Sequence, residues 1–334
     1  FGSLTTEPGH PLGKFIWGNE ESLSTNPDKL GIDVNDYLQL FWKKMYSSHQ
    51  MTLAVISNET LDILEEWITD IFTLIPRRNP LSADFCDMKD KYGFVPAKFH
   101  KLYKVVPVKD IRQVEITWVL PPLQKYYRTK PLNYISWLLG HESRGSVLAW
   151  LKEKGWATAL CAGNSGSGQE FNTIYSLFTC EVSLTVSGLQ HYVEVITVIF
   201  QYLEMLRRIG PDCRVFNEIK SIEDNNFRFK EEVDPSVYVE EVAEFMQVYP
   251  QKDYLTGCDL MWDFDDKIIT DIQNSLTPDK ANIMLISKTL SSECPEKEKW
   301  FETHYCVQGL YQACTVKSDI AIAGMKHTAR YTLV

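Results

Sequence analysis

At 334 residues, with 44% hydrophobic and 23% charged side chains, the chain has the make-up of a folded globular protein long enough for more than one core. Its formal charge of -10 argues against a nucleic-acid partner, because holding phosphates needs clustered Lys and Arg, and an acidic surface favours basic peptides instead. The longest apolar stretch, from Val193 to Leu206, is interrupted by Glu194, Gln201 and Glu204, so neither a membrane span nor a secretion signal is expected.

Residues 1 to 32 are rich in Gly, Pro, Ser and Asn and predict a loop. Asp33 caps a helix whose apolar face is Val34, Tyr37, Leu38, Phe41, Trp42 and Met45. A strand, MTLAVIS (Met51 to Ser57), and a helix capped by Asn58 and ending near Pro76 follow. Residues 77 to 97 carry no pattern and predict a linker. KLYKVVPV and VEITWVLP read as two strands separated by a turn from Lys109 to Gln113, and a helix lies around Tyr134.

Leu139 to Gly168 is the stretch the rest refers back to. Gly145 and Ser146 supply a turn and an N-cap, Val147, Leu148 and Leu151 repeat at helical spacing, and Gly155 stops that helix. Trp156 opens the extended run ATALCAGN. Its small residues Ala159, Ala162 and Gly163 leave the backbone approachable, so a peptide can add as a further strand; the alternative is a strand packed tightly beneath its neighbours. A helical zinc peptidase needs two histidines one turn apart, as in H-E-x-x-H or H-x-x-E-H. HESRG, beginning at His141, has no second histidine, so His141 reads as a hydrogen-bonding turn residue. GNSGSG (Gly163 to Gly168) fails as a phosphate loop, since no Lys follows and a strand comes next.

FNTIYSLFTCEVSLT predicts a long strand pair, followed after Gly188 by a helix from Leu189 to Arg208 closed by Gly210 and Pro211. Helices are expected from about Arg214 to Lys230, Ser236 to Gln247 and Asp265 to Leu276, the first two with solvated acidic faces. ANIMLIS (Ala281 to Ser287) then repeats MTLAVIS, which lies 230 residues earlier, as expected for related domains in series. Eight cysteines (Cys86, Cys161, Cys180, Cys213, Cys258, Cys294, Cys306 and Cys314) form no CxxC pair and read as small, reduced core residues in a reducing, cytoplasmic compartment.

The strings HPLGKFIWGNEESL, IDVNDYL, LYKVVPVKDIR, PLNYISWLLGHE, GSVLAWLKEKGW, FQYLEMLRRIGP, YVEEVAEFMQVYP and KEKWFETHY, in order from His10 to Tyr305, resemble the nardilysin family and, less closely, the insulin-degrading enzymes. These are zinc endopeptidases of the inverzincin, pitrilysin-like class. The resemblance implies an α+β clamshell of repeated domains, each a mostly antiparallel sheet covered by helices. It implies that residues 1–97 are the back half of a first, catalytic-type domain with its linker and that 98–306 are a second. Residues 307–334 do not resemble the family's continuation and predict a poorly packed end.

The family's zinc ligands and catalytic glutamate match positions before His10, so zinc is implied for the parent family and none for this chain alone, which is then inactive by itself. The implied role is chamber wall and substrate positioning for peptides with basic or dibasic sites, with the remaining domains of the parent peptidase as partners. A non-catalytic peptide-binding or scaffold protein of the same fold is the alternative. By resemblance the N-terminal end of a substrate is anchored on His141, Glu142, Gly145, Leu160, Ala162 and Gly163. Ser143, and Ala162 of the last pair, replace glycines of the family and add side-chain atoms where a peptide backbone would approach. Residues 1–97 alone are expected to be unstable, as a half domain leaves an apolar face and strand edges uncovered.

Overall fold

The computed structural model describes residues 5–6, 10–78 and 94–309. Cys86, Cys314, most of the predicted linker and nearly all of the predicted tail lie outside them. Asn19 and Ser22 cap each other, each side chain accepting the other's amide at 2.9 Å. This reciprocal cap starts a π-helical turn, Glu21–Thr25, that runs into helix α1, Asn26–Leu30, ended by Gly31 at φ 65. The predicted loop over 1 to 32 is therefore partly helical.

Asp33 caps α2, Val34–Met45, by accepting from the Asn35 and Asp36 amides. Helix α3, Leu61–Phe72, is capped by Thr60 rather than Asn58, and it ends before Pro76. No strand forms over 51–57 among the described residues. Thr52 instead donates its hydroxyl to the Ala243 carbonyl at 2.7 Å, so this segment is held by a hydrogen bond outside any ladder.

From residue 101 the elements are β1, Lys101–Val105; β2, Arg112–Leu120; α4, Pro131–Leu139; α5, Val147–Glu153; β3, Ala157–Gly163; and β4, Ser176–Leu184. Then come α6, Val186–Gln190; α7, Tyr192–Ile209; α8, Cys213–Arg228; α9, Pro235–Val248; α10, Asp266–Ser275; β5, Ala281–Ser287; β6, Glu296–Lys297; and β7, His304–Gly309. Two details differ from the periodicity reading. The strand pair expected over FNTIYSLFTCEVSLT is one strand, because the Asn172 carboxamide accepts the Ile174 and Tyr175 amides and turns the chain just before β4. Gly188 lies inside the short helix α6, capped by Thr185, where an added Cβ would sit 1.8 Å from the Trp156 carbonyl oxygen.

The described chain forms two compact units. One takes its residues from Phe1–Gly13, Lys91–Asn226 and Leu260–Val334, the other from Lys14–Asp90 and Phe227–Asp259. The first unit contains a seven-stranded sheet in the order β3-β4-β2-β5-β1-β7-β6. All its pairings are antiparallel except β1 with β5. β1 and β2 are consecutive in sequence but not neighbours, since β5 lies between them.

One face of this sheet is apolar at every second position: Val114, Ile116, Trp118 and Leu120 on β2, and Phe178, Cys180, Val182 and Leu184 on β4. Helices α4, α5, α7 and α10 cover that face with Ile135, Leu139, Leu148, Leu151, Ile199 and Ile272. Trp118 packs edge-on against Phe200 at 5.9 Å and donates its indole N–H to the Thr277 carbonyl at 3.0 Å, so its one polar atom is satisfied. Each fully buried aliphatic side chain here contributes about 1.5–3 kcal/mol.

The second unit has no buried apolar side chain among its described residues, and Tyr37, Leu38, Phe41 and Trp42 of α2 stand exposed. Of the six described cysteines, all free thiols, Cys180, Cys294 and Cys306 are buried. Cys161, Cys213 and Cys258 are exposed, so the core reading holds for only half of them. No helix among the described residues is long and apolar enough to cross a membrane.

Candidate functional site

The site is built where α4 runs out. Ser146 accepts the Ala149 amide at 3.1 Å and starts α5 directly after the turn, and α5 anchors that turn through buried Val147, Leu148 and Leu151. Within the turn Gly145 holds φ 92, a conformation that costs a residue with a Cβ about 1–2 kcal/mol. The chain then returns as β3, the outermost strand of its sheet, paired to β4 on one side and with no strand on the other among the described residues. Its register shifts between Ala157 and Ala159, a local irregularity of the bulge kind.

Between α4, the turn and β3 lies an open cleft of about 730 Å³. It brings together His141, Glu142, Leu160, Ala162 and Gly163 of the predicted set. Leu160 forms part of the floor, only 4% exposed, while Ala162 is half-buried. Gly145, the remaining member, does not reach this cleft; it borders a second cavity on the far side of the turn, which His141 also lines.

His141 is fixed on two sides. Its Nε2 lies 2.6 Å from the Ser143 hydroxyl, and its ring stacks on Trp137 with centroids 4.9 Å apart. Ser143, one of the side chains replacing a glycine of the resembled family, thus has its hydroxyl engaged within the turn. Glu142 is exposed and pairs with Lys152 at 3.2 Å. Such a surface pair contributes under about 1 kcal/mol, so the carboxylate is readily released to a cationic ligand. Glu223 brings a second carboxylate to the cleft from α8.

Trp137, Ser136, Ile219 and Glu223 line the cleft but were absent from the predicted set. The signal was present in part. Asn133, Ser136, Trp137 and Gly140 follow helical spacing and lie on one face of α4, and Ile219 and Glu223 are one turn apart on α8. That α8 approaches this cleft is a tertiary fact with no local signal.

The arrangement offers an unpaired strand edge with short side chains, flanked by an aromatic pair and two carboxylates. It suits an extended peptide bound through main-chain hydrogen bonds. Among the described residues no three His, Cys, Asp or Glu side chains converge as a metal centre requires. Neither H-x-x-E-H nor H-E-x-x-H occurs in the sequence.

Comparison with known proteins places these features in context. Residues 34–223 match the family model described as the peptidase M16 inactive domain, and residues 227–323 match the middle or third domain of peptidase M16. The chain is 48% identical over 315 residues to nardilysin of Rattus norvegicus, which covers 94% of this chain and 27% of that protein. It is 35% identical over 301 residues to insulin-degrading enzyme of Homo sapiens, covering 90% of this chain and 29% of the relative. The crystal structure of pitrilysin superposes with a TM-score of 0.81 at 25% identity, covering 92% of this chain and 32% of that one.

Proposed function

Because this chain belongs to the peptidase M16 family, we propose that it is the wall and peptide-holding part of a nardilysin-like zinc metalloendopeptidase rather than its hydrolytic centre. The observation that carries the reading is β3, an outermost strand with one edge unpaired among the described residues, beside a cleft that holds five of the six residues expected to anchor a substrate. Peptides with basic or dibasic sites are the proposed ligands, drawn by Glu142, Glu223 and the charge of -10.

Binding energy gathered here, away from the bond to be cut, orients that bond for chemistry performed elsewhere. In this family zinc polarises the scissile carbonyl and activates water. Among the described residues no side chains converge to fit that ion, so no hydrolytic step is assigned to them. The proposed partners are the remaining domains of such a peptidase, and the exposed apolar face of α2 supports a covering partner. The proposed domain division is 1–97, 98–306 and 307–334; the second family match runs past the last boundary, to 323. The free thiols of the six described cysteines support a reducing, cytoplasmic setting.

The chain spans 27% of rat nardilysin, so two measurements on the 334-residue chain test the proposal. Fluorescence anisotropy with a labelled dibasic peptide is expected to show binding that Ala162→Trp, which fills the cleft, weakens at least tenfold. Turnover of the same peptide with added zinc is expected to be absent. Binding indifferent to Ala162→Trp overturns the site, and chelator-sensitive cleavage overturns the non-hydrolytic role. The alternative reading, a non-catalytic scaffold of the same fold, is favoured by the match to an inactive-type domain. It predicts that this chain, joined to the zinc-bearing part of a relative, leaves cleavage unaltered, whereas the peptide-holding reading predicts a change in KM.

A further inference from the structure

The turn that carries His141 has a cavity on its other side, smaller and more closed than the cleft. It measures about 150 Å³ and lies where the ends of α4 and α7 meet the start of α8. Leu138, Met205, Leu206 and Val215 make its walls apolar. The tyrosine hydroxyls that reach it are engaged: Tyr202 donates to the Leu138 carbonyl at 3.1 Å, and Tyr134 accepts the Asp212 amide at 2.9 Å. With walls that are mostly hydrocarbon, a polar group entering would give up more bonds to water than it regains, so the interior favours an apolar one. An apolar cavity of about this size holds a group as large as benzene.

The mouth has the opposite character. Arg144 is exposed there and makes no ion pair among the described residues, in contrast to its neighbour Glu142, which is paired with Lys152. The cavity and the peptide cleft share Trp137 and His141 as a common wall. Gly145, the one predicted residue outside the cleft, borders this second cavity and adds no side chain to block it.

The geometry points to a side-chain pocket for the same bound peptide: one aliphatic or aromatic residue fills the cavity while an adjacent carboxylate pairs with Arg144. The inference rests on the peptide-holding reading and adds a sequence preference to it. The mouth lies across the Trp137 and His141 wall from the cleft that the β3 edge borders. Main-chain bonding at a strand edge reads no side chains, whereas an apolar pocket beside the Arg144 guanidinium, with Asp212 also on its lining, does. Because the N-terminal end of the peptide is held at this turn, the carboxylate is that of an acidic side chain, whose two oxygens suit the Arg144 fork.

The test uses the 334-residue chain and labelled dibasic peptides in which one Leu-Glu pair is stepped along a Ser/Gly background. Anisotropy is expected to show one register binding at least tenfold tighter than the rest. At that register Leu→Ala or Glu→Gln in the peptide removes the gain. Arg144→Glu, a surface change that leaves folding intact, is expected to shift the preference from Leu-Glu to Leu-Lys. Met205→Trp, checked by its melting curve, is expected to abolish the Leu preference alone. Peptides that bind equally in all registers and ignore both variants overturn the pocket and leave the peptide-holding reading in place. Failure of every peptide to bind overturns both.

Discussion

Ala281–Ser287 and Met51–Ser57, ANIMLIS and MTLAVIS, share a final Ile-Ser and a mostly apolar pattern, and meet opposite fates. The first is β5, between β1 and β2, with Ala281 and Ile283 at 0% exposure and Leu285 at 1%. The second forms no strand among the described residues, and Met51, Leu53 and Val55 are 40–44% exposed. A backbone hydrogen bond exchanged for one to water nets only about 0.5–1.5 kcal/mol, whereas burying each large aliphatic side chain adds about 1.5–3 kcal/mol. What covers the apolar positions therefore weighs more than the pattern the two heptapeptides share. The pattern makes a strand possible; neighbours on both edges and a helix layer make it one.

The sharpest way to break this comparison is to cut the equivalent residue in each copy. Ile283→Ala is expected to cost about 2–5 kcal/mol, the range for a fully buried isoleucine, and Leu53→Ala less than about 0.5 kcal/mol, the range for surface sites. Chemical denaturation of both variants checks it; equal losses would mean that the 51–57 segment is covered after all. A smaller contrast lies in two helix caps of like chemistry. Ser146, 2% exposed at the start of α5, is expected to cost about 1–2 kcal/mol on change to Ala, because its partner amide is left unsatisfied near the core. Asp33→Ala, at an exposed cap, falls near the lower end of the range, about 0.5 kcal/mol.

The smallest effect concerns Glu115, on the sheet face away from the helices and opposite Glu181 in register. Burial pushes its carboxyl above the usual range, and the hydrogen bond from Thr117 only partly opposes this. The folded state therefore binds the proton more tightly than the unfolded chain does. Its contribution to stability is greatest at low pH and falls as pH rises from the ordinary carboxylate value through the raised one. Glu115→Gln is expected to remove that slope and to stabilise the fold at neutral pH by under about 1 kcal/mol, the scale of a cross-strand pair. Melts across pH 4 to 7 read the sign, and a loss of stability at neutral pH would contradict it.

Much of the first unit was legible because its elements announce themselves locally. Ser146 and Asp265 sit at their caps, ANIMLIS spans its strand, and Gly210 closes its helix as spacing predicts. What was not legible depended on contacts distant in sequence. β5 lying between β1 and β2, α8 reaching the cleft, and the absence of cover on 51–57 leave no trace in a short window. Two misses were local and recoverable: the Asn172 turn that shortens β4, and the Asn19 and Ser22 cap that starts a helix in an apparent loop. The anchoring residues came from resemblance rather than from any pattern. The structure adds Trp137 stacked on His141, and it places Gly145 outside the cleft, at a second cavity that His141 also lines.

The claim that β3 holds a peptide as an added strand is tested most directly by amide hydrogen exchange on this chain, with and without a saturating dibasic peptide. Added-strand binding predicts slowed exchange confined to residues 157–163 and the adjoining turn, at the alternate amides that point away from β4. Unchanged exchange across those residues, with the peptide demonstrably bound, would contradict it.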